Sequence, residues 1–469
     1  MTTMTTRAME YPPKPVVNRA SLPPGPPEWP LVGQSFKYVF NLLDFIQGAA
    51  AYGDLVTLSV KPALVYLVNH PDLVQELFVT NHRKVGRGRI TATLQYLMGF
   101  GLVTADGPLH LRQRRLMQPQ FHHRRIAGYA QTMTDFTRQH EQNWQDGMRI
   151  DLAREMSDLT LRIVVKTLFD LELPDTVRRI GAAFELSNNY IKARDNQPPA
   201  LRRLFHRMPL PFTLRFRHGL SYLDQTVYGL IEERRRTGLE TDDLLSLLLN
   251  VRDEEAENPE DAVMTDIQVR DEAITLFAAG HETTAVALVW TWYLLATHPE
   301  IQSRFHAELD ETLAGRTPTP GDLPKLAFTE QVLTESMRLY PPIWSTGRMT
   351  FEPITLGGYD IPAGAALTAP QLNIQRDPRW FEDPLDFRPD RWTPEFRQEL
   401  PRFAYYPFGG GPRLCIGEGF AWMEAMLLLA ALGQRWAMRH DPQHRIELEP
   451  LVSLRPKGGM PMFLTRRQT

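Results

Sequence analysis

The chain has 469 residues, of which 43% are hydrophobic and 23% are charged. These values are typical of a globular protein that buries a large core. The formal net charge of -3 argues against nucleic acid as a general partner. The single cysteine, Cys415, excludes an intramolecular disulfide and fits a reducing compartment such as the cytoplasm.

Domain organisation is predicted from linkers and repeats. Residues 1–36 form a Pro-rich lead-in, and residues 37–469 are expected to form a single domain because neither a Gly/Ser linker nor an internal repeat divides them. The segment from Met1 to Tyr11 is polar, so we expect neither a signal peptide nor a membrane anchor. The first elements predicted from hydrophobic periodicity are a helix over 42–52, strands over 55–60 and 64–68 that form a hairpin, and a helix beginning at Pro71.

The segment 85–103 has little periodicity but is rich in apolar side chains. These are Leu94, Tyr96, Leu97, Met98 and Phe100. An apolar stretch of this length without regular structure is unusual in a compact domain unless it covers something. We therefore expect it to lie over a pocket.

A helix is predicted to begin at Asp106, an acidic cap followed by Pro108. His110 and Arg114 lie one turn apart on the same face of this helix. The residues alone leave two interpretations open, a solvated basic face or part of a binding site. Four further arginines add positive charge nearby, which is usually solvated surface but could also dock an acidic partner: Arg112, Arg115, Arg124 and Arg125.

Residues 130–250 alternate helix-periodic segments with short turns, which predicts helix packed on helix. Prolines in 197–200 and 208–212 interrupt two long helices. Residues 253–261 are acidic and are expected to form an exposed loop.

The longest helical pattern covers 266–298, and its middle breaks the usual preferences. Gly280 weakens a helix, and a threonine hydroxyl competes for a backbone carbonyl, so we expect a local bulge. A helix with a polar outer face is the alternative. The pair His281-Glu282 does not extend to a zinc-protease motif, because position 285 is alanine.

Cys415 follows Phe408 and three consecutive glycines and precedes an apolar helical run over 420–432. A lone cysteine is more often a small buried hydrophobe. Here a loop stripped of side chains suits the close approach of a flat ligand. The following helix N-terminus favours a thiolate, and Arg413 could pair with a carboxylate. This combination favours an axial ligand to haem iron.

Two runs match known signatures. Phe408–Gly417 matches F-x-x-G-x-R-x-C-x-G at every fixed position, and Ala279–Thr284 matches A-G-x-[DE]-T-[TS]. Both are signatures of the cytochrome P450 family, which the chain resembles over roughly residues 20–466. The resemblance implies a mainly α protein with small β-sheets, the single-domain cytochrome P450 fold, and haem b as cofactor.

The resemblance also implies the cofactor contacts. Cys415 becomes the proximal iron ligand. The other residues are, as propionate partners, Arg413, His110, Arg114 and Arg348, and, beside the sulfur or giving clearance, Phe408, Gly411 and Gly417.

On the oxygen side, the family pattern implies that Glu282 is the proton-relay acid and that Thr283 is the hydroxyl that holds the oxygen and water network. Ala279 and Gly280 would leave room for O2. A buried salt network that supports the cysteine loop is implied for Glu335, Arg338 and Arg391.

The function implied is that of a soluble, bacterial-type monooxygenase. It would insert one atom of O2 into a terpenoid, fatty acid or similar lipid, with electrons from a separate ferredoxin or flavodoxin and its reductase. The candidate substrate pocket is apolar. Its residues are Leu94, Leu97, Met98, Phe100, Phe277, Ile343, Trp344, Val452 and Leu454.

Two alternatives stay open on the same fold. The first is an enzyme that rearranges or uses peroxides. Such members usually lack the acid and the threonine, which are both present here as Glu282 and Thr283. The second is a haem sensor or ligand-binding protein, which an intact proton relay disfavours.

Overall fold

A computed structural model of the chain describes a large part of the sequence. The described residues are 12, 21–28, 33–35, 41–60, 63–172, 174–195, 208–238, 243–256 and 262–468. The Pro-rich lead-in therefore lies largely outside the described residues, as does the interruption at 197–200.

Sixteen described α-helices form the bulk of the molecule. In chain order, α1 to α16 are Leu42–Ala49, Pro71–Gln75, Gln95–Met98, Gly107–Met117, His123–Gly128, Ala130–Glu141, Leu152–Phe169, Pro174–Asp195, Pro211–Thr237, Leu244–Asn250, Asp266–Thr297, Pro299–Leu313, Ala327–Leu339, Gln371–Ile374, Pro394–Glu399 and Glu418–Arg435.

Twelve described strands form four small sheets. In chain order, β1 to β12 are Leu55–Val60, Ala63–Val68, Val85–Gly86, Arg149–Asp151, Thr346–Thr350, Ile354–Leu356, Tyr359–Ile361, Ala366–Ala369, Trp436–His440, Leu448–Pro450, Leu454–Pro456 and Pro461–Arg466. The largest sheet has the order β1-β2-β8-β5-β3, and β4-β12-β9 form a second. The pairs β6-β7 and β10-β11 are antiparallel hairpins. The predicted hairpin β1-β2 is confirmed, with Leu55 paired to Val68.

Helix α11 lies at the centre of the largest hydrophobic core. It is buried on nearly all sides, and Trp290 and Trp292 are among the largest fully buried side chains. The helix is long and apolar enough to cross a membrane by length and composition, but 72% of its most apolar window is packed inside the protein, as in a core helix. A helix that is apolar all round requires such a position. Helix α11 is therefore the central element of this core, and the surrounding helices pack against it.

Two local predictions are corrected. The segment 85–103 is not without structure, because it contains β3, a 3₁₀ turn and α3. The acidic segment that begins at Asp253 is exposed at Glu254 and Glu255, as predicted, but not at its first residue: the Asp253 side chain is buried and pairs with Arg112 and Arg115. Residues 257–261 lie outside the described residues.

Candidate active site

A cavity of about 1290 Å³ lies against one side of α11, among the residues that the structure describes. Its wall includes residues of α3, α4, α8 and α16, together with the loop that precedes α16 and the β10-β11 hairpin. Ligand pockets for one small molecule are typically about 300–1,000 Å³. This cavity has room for a prosthetic group and a substrate together.

Cys415 presents its sulfur to this cavity. Its backbone N–H donates to the carbonyl of Phe408 over 3.0 Å, which closes the loop tightly. The side chain is accessible from the cavity, although protein surrounds it on the other sides. Burial raises the pKa of the Cys415 thiol, and the backbone N–H of Gly417 opposes this rise. The N–H groups at the helix N-terminus thus favour the thiolate, as expected, but burial outweighs them; a bound metal ion would deprotonate such a ligand.

The three glycines before Cys415, namely Gly409, Gly410 and Gly411, differ in their surroundings. Gly409, with a positive φ, borders the cavity. A Cβ on Gly410 would clash with the ring of Phe403, and a Cβ on Gly411 would come within 2.1 Å of the Phe78 carbonyl oxygen. Gly410 and Gly411 therefore allow the loop to pack against the protein, which corrects the clearance role predicted for Gly411, whereas Gly409 and Gly417 border the cavity and leave clearance there.

Positive charge is concentrated at one edge of the cavity. Arg413 donates to the Asp106 carboxylate and to a backbone carbonyl. Arg348 is almost fully buried, with its guanidinium 4.3 Å above the Phe78 ring. Burial lowers the pKa of Arg348 well below its usual value, and it lowers the pKa of Arg87 to about 10. The Asp106 carboxylate therefore interacts electrostatically with three arginines at this edge, Arg87, Arg348 and Arg413.

Arg87 was not among the residues predicted from the sequence. It lines the cavity, and its Nε has no hydrogen-bond partner among the described residues. Its backbone N–H and that of Gly88 each donate to the Asp106 carboxylate over 2.8 Å. Asp106 therefore holds both the turn after β3 and the Arg413 side chain. This replaces the predicted cap at Asp106, whose side chain makes no cap hydrogen bond. The two arginines at the start of the mostly apolar segment 85–103, Arg87 and Arg89, were the available signal.

His110 and Arg114 lie on the same side of the cavity. The Arg114 Nη1 donates to the carbonyl of Leu414 over 2.6 Å, next to the cysteine. Burial, assisted by the surrounding arginines, lowers the pKa of His110 to about 3. His110 is therefore neutral at physiological pH and can offer an N–H but no charge.

The cationic edge fits the two propionates of haem b. Buried guanidinium groups require anionic partners. Here the carboxylate of Asp106 faces Arg87, Arg348 and Arg413, and the Arg87 Nε is left unpaired in the described structure. Two carboxylates from a ligand would supply the missing charge, and the sulfur of Cys415 lies in the same cavity.

Glu282 lies on the opposite part of the wall and is firmly held. Its carboxylate accepts hydrogen bonds from Asn188 over 3.0 Å, from Ser453, and from Arg455 over 2.9 Å. Burial raises the pKa of Glu282, but Arg455, Ser453 and Asn188 outweigh it, so that the net pKa lies below the usual value. Glu282 is therefore ionised, and it joins α8, α11 and the β10-β11 hairpin.

Thr283 also lines the cavity, and its hydroxyl donates to the carbonyl of Ala279 over 2.8 Å. Ala279 and Gly280 lie on the same wall. The bulge predicted here is absent: Asp266–Thr297 is α-helical throughout. The helix stays regular because the hydroxyl of Thr283 bonds back to its own helix without displacing the backbone ladder.

Six of the nine predicted pocket residues line the cavity, namely Leu94, Leu97, Met98, Ile343, Trp344 and Val452. The other three are corrected. Phe277 is fully buried on the far face of α11, with its ring 4.0 Å from that of Phe169. Phe100 is not part of the cavity wall, and its backbone N–H donates to Asp271 over 2.8 Å. Leu454 is fully buried, and its carbonyl accepts a hydrogen bond from Trp290.

The structure brings Glu335, Arg338 and Arg391 together. Arg338 donates to both oxygens of Glu335 over 2.7 and 2.8 Å, and Arg391 donates over 3.0 Å. The Trp392 indole N–H also donates to Glu335, a contact that the sequence did not suggest. The Glu335 and Arg338 side chains are 0% exposed. Arg338 further donates to three carbonyls in the segment 375–386, which ties α13 to the chain that leads to the cysteine loop.

Comparisons with known proteins agree with this geometry. The family model described as cytochrome P450 matches residues 23–463. The cyclooctat-9-en-7-ol 5-monooxygenase of Streptomyces melanosporofaciens is 36% identical over 88% of both chains, and the pentalenene oxygenase of Streptomyces avermitilis is 35% identical over 93% of this chain and 94% of its own. The haem domain of cytochrome P450DA superposes with a TM-score of 0.84 at 26% identity, covering 95% of this chain and 98% of that one.

The family predicted from two short motifs is thus confirmed, as is the mainly α fold with small sheets. The sulfur in the cavity, the cationic edge and the matched relatives all lead to the same cofactor. The chain belongs to the cytochrome P450 family and is a haem b monooxygenase.

Proposed function

We propose that this monooxygenase oxidises an apolar terpenoid. The supporting observation is the cavity itself, whose substrate side is lined by Leu94, Leu97, Met98, Ile343 and Val452. By their names, the two relatives act on cyclooctat-9-en-7-ol and on pentalenene. A wall of this kind binds a hydrocarbon skeleton by burying its surface, at about 25 cal/mol for each Å² of apolar area.

The haem is proposed to be held by Cys415 through its iron, and by Arg87, Arg348 and Arg413 through its propionates. When bound and reduced, it supplies the chemistry of O2 activation. The protein's own part is to place the sulfur, to neutralise the propionates, and to keep water away from the apolar wall. His110, being neutral, contributes a hydrogen bond rather than a charge.

Thr283 and Glu282 are proposed to organise proton transfer beside the haem. The Thr283 hydroxyl is held by the Ala279 carbonyl, so its oxygen stays free to accept a hydrogen bond from the cavity. Glu282 has the position of a relay acid, but it exchanges a proton only when Arg455 withdraws from it. Movement of the β10-β11 hairpin would make this possible.

The electron donor is proposed to be a separate ferredoxin or flavodoxin in the cytoplasm. It would dock near α4 and α5, on the side of Cys415. Arg112 and Arg115 there already pair with Asp253, and Arg115 also pairs with Glu255. Docking of an acidic partner therefore competes with these internal carboxylates.

The test is the optical difference spectrum of the reduced protein with and without carbon monoxide. We expect the long-wavelength Soret band of thiolate-ligated haem in the wild type and its loss in Cys415→Ser. Titration with pentalenene, with a saturated fatty acid as comparison, should shift the iron from low to high spin for the terpene alone. A shift with the fatty acid alone would contradict the substrate class, and a wild type without the thiolate band would contradict the whole assignment.

A further inference from the structure

The Glu282 carboxylate has hydrogen-bond donors that are divided unevenly between its two oxygens. Oε1 accepts from the Ser453 hydroxyl and from two nitrogens of Arg455, Nε over 2.9 Å and Nη2 over 2.7 Å. Oε2 accepts from the side-chain amide of Asn188 over 3.0 Å. An ionised carboxylate has about four lone-pair sites, two on each oxygen. Among the described residues, Oε2 therefore has one acceptor site without a donor.

This open acceptor site lies on the cavity side. Glu282, Asn188 and Ser453 all line the cavity, whereas Arg455 is not part of its wall. The Arg455 guanidinium thus holds the carboxylate from behind, and the Glu282 side chain keeps an exposed fraction of 14%. The amide oxygen of Asn188, Oδ1, is a second acceptor next to it. A ligand in the cavity that donates a hydrogen bond can therefore be bound here.

The surroundings of this acceptor are apolar. Phe184 and Ile191 lie one helical turn before and after Asn188, so they share its face of α8, and both line the cavity. Val452 lines the cavity next to Ser453. A hydrogen bond is electrostatically stronger in apolar surroundings than in water. The wall therefore presents one anionic acceptor within an apolar part of its surface.

Other polar side chains of the wall are already bonded within the protein. These pairs are Ser345 with Thr368, Thr346 with Gln371, and Glu447 with Lys457. The last pair is also exposed to solvent. Glu282 is different, because its charge is enclosed while one of its acceptor sites is open.

The open site on Oε2 determines which chemical group a substrate should carry. Water reaches the carboxylate while the cavity is open to solvent, and an apolar substrate displaces that water without replacing its hydrogen bond. A buried ionised group that lacks a donor is costly. A substrate hydroxyl donates to Oε2 in place of the water, whereas the oxygen of an ether has no hydrogen to donate. The site therefore favours an alcohol.

We propose that the terpenoid oxidised by this enzyme carries a hydroxyl group, and that this hydroxyl donates a hydrogen bond to Oε2 of Glu282. The inference rests on the proposed function and narrows its substrate class from apolar terpenoids in general to terpenoid alcohols. Because the hydroxyl is present before this oxidation, an earlier reaction must have introduced it, either an oxygenation or the capture of water by a terpenyl cation. Insertion of one oxygen atom then gives a product with at least two.

The experiment measures the dissociation constants of three probes for the haem-loaded enzyme, by the spin-state change of the haem and by calorimetry. The probes are farnesol, farnesyl methyl ether and farnesene, which share a flexible terpenoid chain, so that the oxygen can reach Glu282 from many positions. We expect farnesol to bind at least about tenfold more tightly than its methyl ether, as a hydrogen bond to a charged group would give. Equal dissociation constants for farnesol and the ether would overturn the inference.

Glu282→Gln removes the charge but keeps the size of the side chain. We expect the preference for farnesol over its methyl ether to fall to within about twofold. Thr275→Val is the matched control and should keep the preference, because the Thr275 hydroxyl also lines the cavity on α11 and has no partner in the described part of the chain. A preference that persists in Glu282→Gln, through Thr275 or through direct binding of the farnesol oxygen to iron, would refute the contact with Glu282.

An infrared measurement on the wild type covers the case in which Glu282→Gln does not keep its haem. We expect farnesol, but not its methyl ether, to shift an antisymmetric carboxylate stretching band. Without such a shift no carboxylate accepts the hydroxyl, and the inference is wrong. The proposed function fails separately: it is refuted if neither pentalenene nor any of the three probes binds. Equal binding of all three probes leaves the terpenoid class standing and refutes the alcohol alone.

Discussion

The cysteine side and the substrate side of the cavity are built in different ways. On the cysteine side, Arg338 makes five hydrogen bonds, and its side chain and that of Glu335 are fully buried. On the substrate side, segments from α8, α11 and the β10-β11 hairpin meet at one carboxylate, Glu282, and the Arg455 side chain that pairs with it stays 29% exposed. The cysteine loop is therefore supported by a fully buried network, whereas the elements of the substrate wall meet at an ion pair that is partly open to solvent.

Arg338→Ala is expected to have the largest effect, because it disrupts the buried network of Glu335 and Arg338 that supports the cysteine loop. It leaves the Glu335 carboxylate buried with fewer partners, which should cost about 3–5 kcal/mol of unfolding free energy. We expect little haem-loaded protein and a lower midpoint in denaturant unfolding. Arg304→Ala is the control, because Arg304 also pairs with one acid, Asp390, but on the surface, where such pairs contribute about 0–1 kcal/mol. Normal haem content in Arg338→Ala would contradict the supporting role.

Thr283→Ala tests the substrate side without touching the buried network. It removes a cavity hydroxyl, so the haem should remain while product formation falls by about 100-fold and hydrogen peroxide release rises. Peroxide and product are measured together against the reductant consumed. Thr291→Ala is matched, because the Thr291 hydroxyl also bonds back to its own helix, at Ala287, but lies away from the cavity. Tight coupling in Thr283→Ala would contradict its role.

Arg87→Gln tests the cationic edge that lies between the two sides. The variant loses a guanidinium whose Nε is unpaired in the described structure, and a hydrogen bond to a charged group contributes about 1.5–3 kcal/mol. We expect haem to transfer to apomyoglobin at least about tenfold faster than from the wild type. Arg83→Gln, four residues earlier and exposed, should show the wild-type rate. Equal rates in both variants would exclude Arg87 as a propionate partner.

Arg455→Met tests the ion pair at which α8, α11 and the β10-β11 hairpin meet. The folded-state pKa of Glu282 lies below its usual value, so its ionisation stabilises the fold at neutral pH and this stability is lost as the pH falls through the ordinary carboxyl range. Removing Arg455 raises that pKa. We expect the variant to lose about 1 kcal/mol at pH 7 and to show a smaller drop in melting temperature between pH 7 and about pH 4. An unchanged pH profile would mean that Arg455 does not hold Glu282.

The sequence predicted well whatever is encoded locally. Cys415 and its flanking loop are one contiguous run, and Glu335 and Arg338 are one helical turn apart, so the motif and the contact coincide. Arg391 followed from the family pattern rather than from spacing. Contacts between residues only a few positions apart could therefore be predicted from the sequence alone.

Contacts between distant segments were not predictable in the same way. Glu282 meets Arg455 across 173 positions, and nothing in either segment specifies the other. Phe277 was assigned to the wrong face of α11, because a helix that is apolar all round gives no signal for its rotation about its axis. The neighbouring Ala278 and Ala279 face the cavity instead. Arg87 was missed because the carboxylate that its backbone N–H contacts, that of Asp106, lies 19 positions away in the sequence.

The tie between the β10-β11 hairpin and the rest of the cavity also bears on how the protein is made. Indole N–H groups of Trp290 and Trp344 donate to carbonyls of Leu454 and Leu451, so the hairpin closes a wall whose other parts include Leu42. A growing chain emerges at about 5–20 residues per second and folds from its N-terminal part first. We therefore expect the cavity wall to stay incomplete until the chain up to Arg455 has emerged from the ribosome. Haem binding would then come late in the synthesis of the protein.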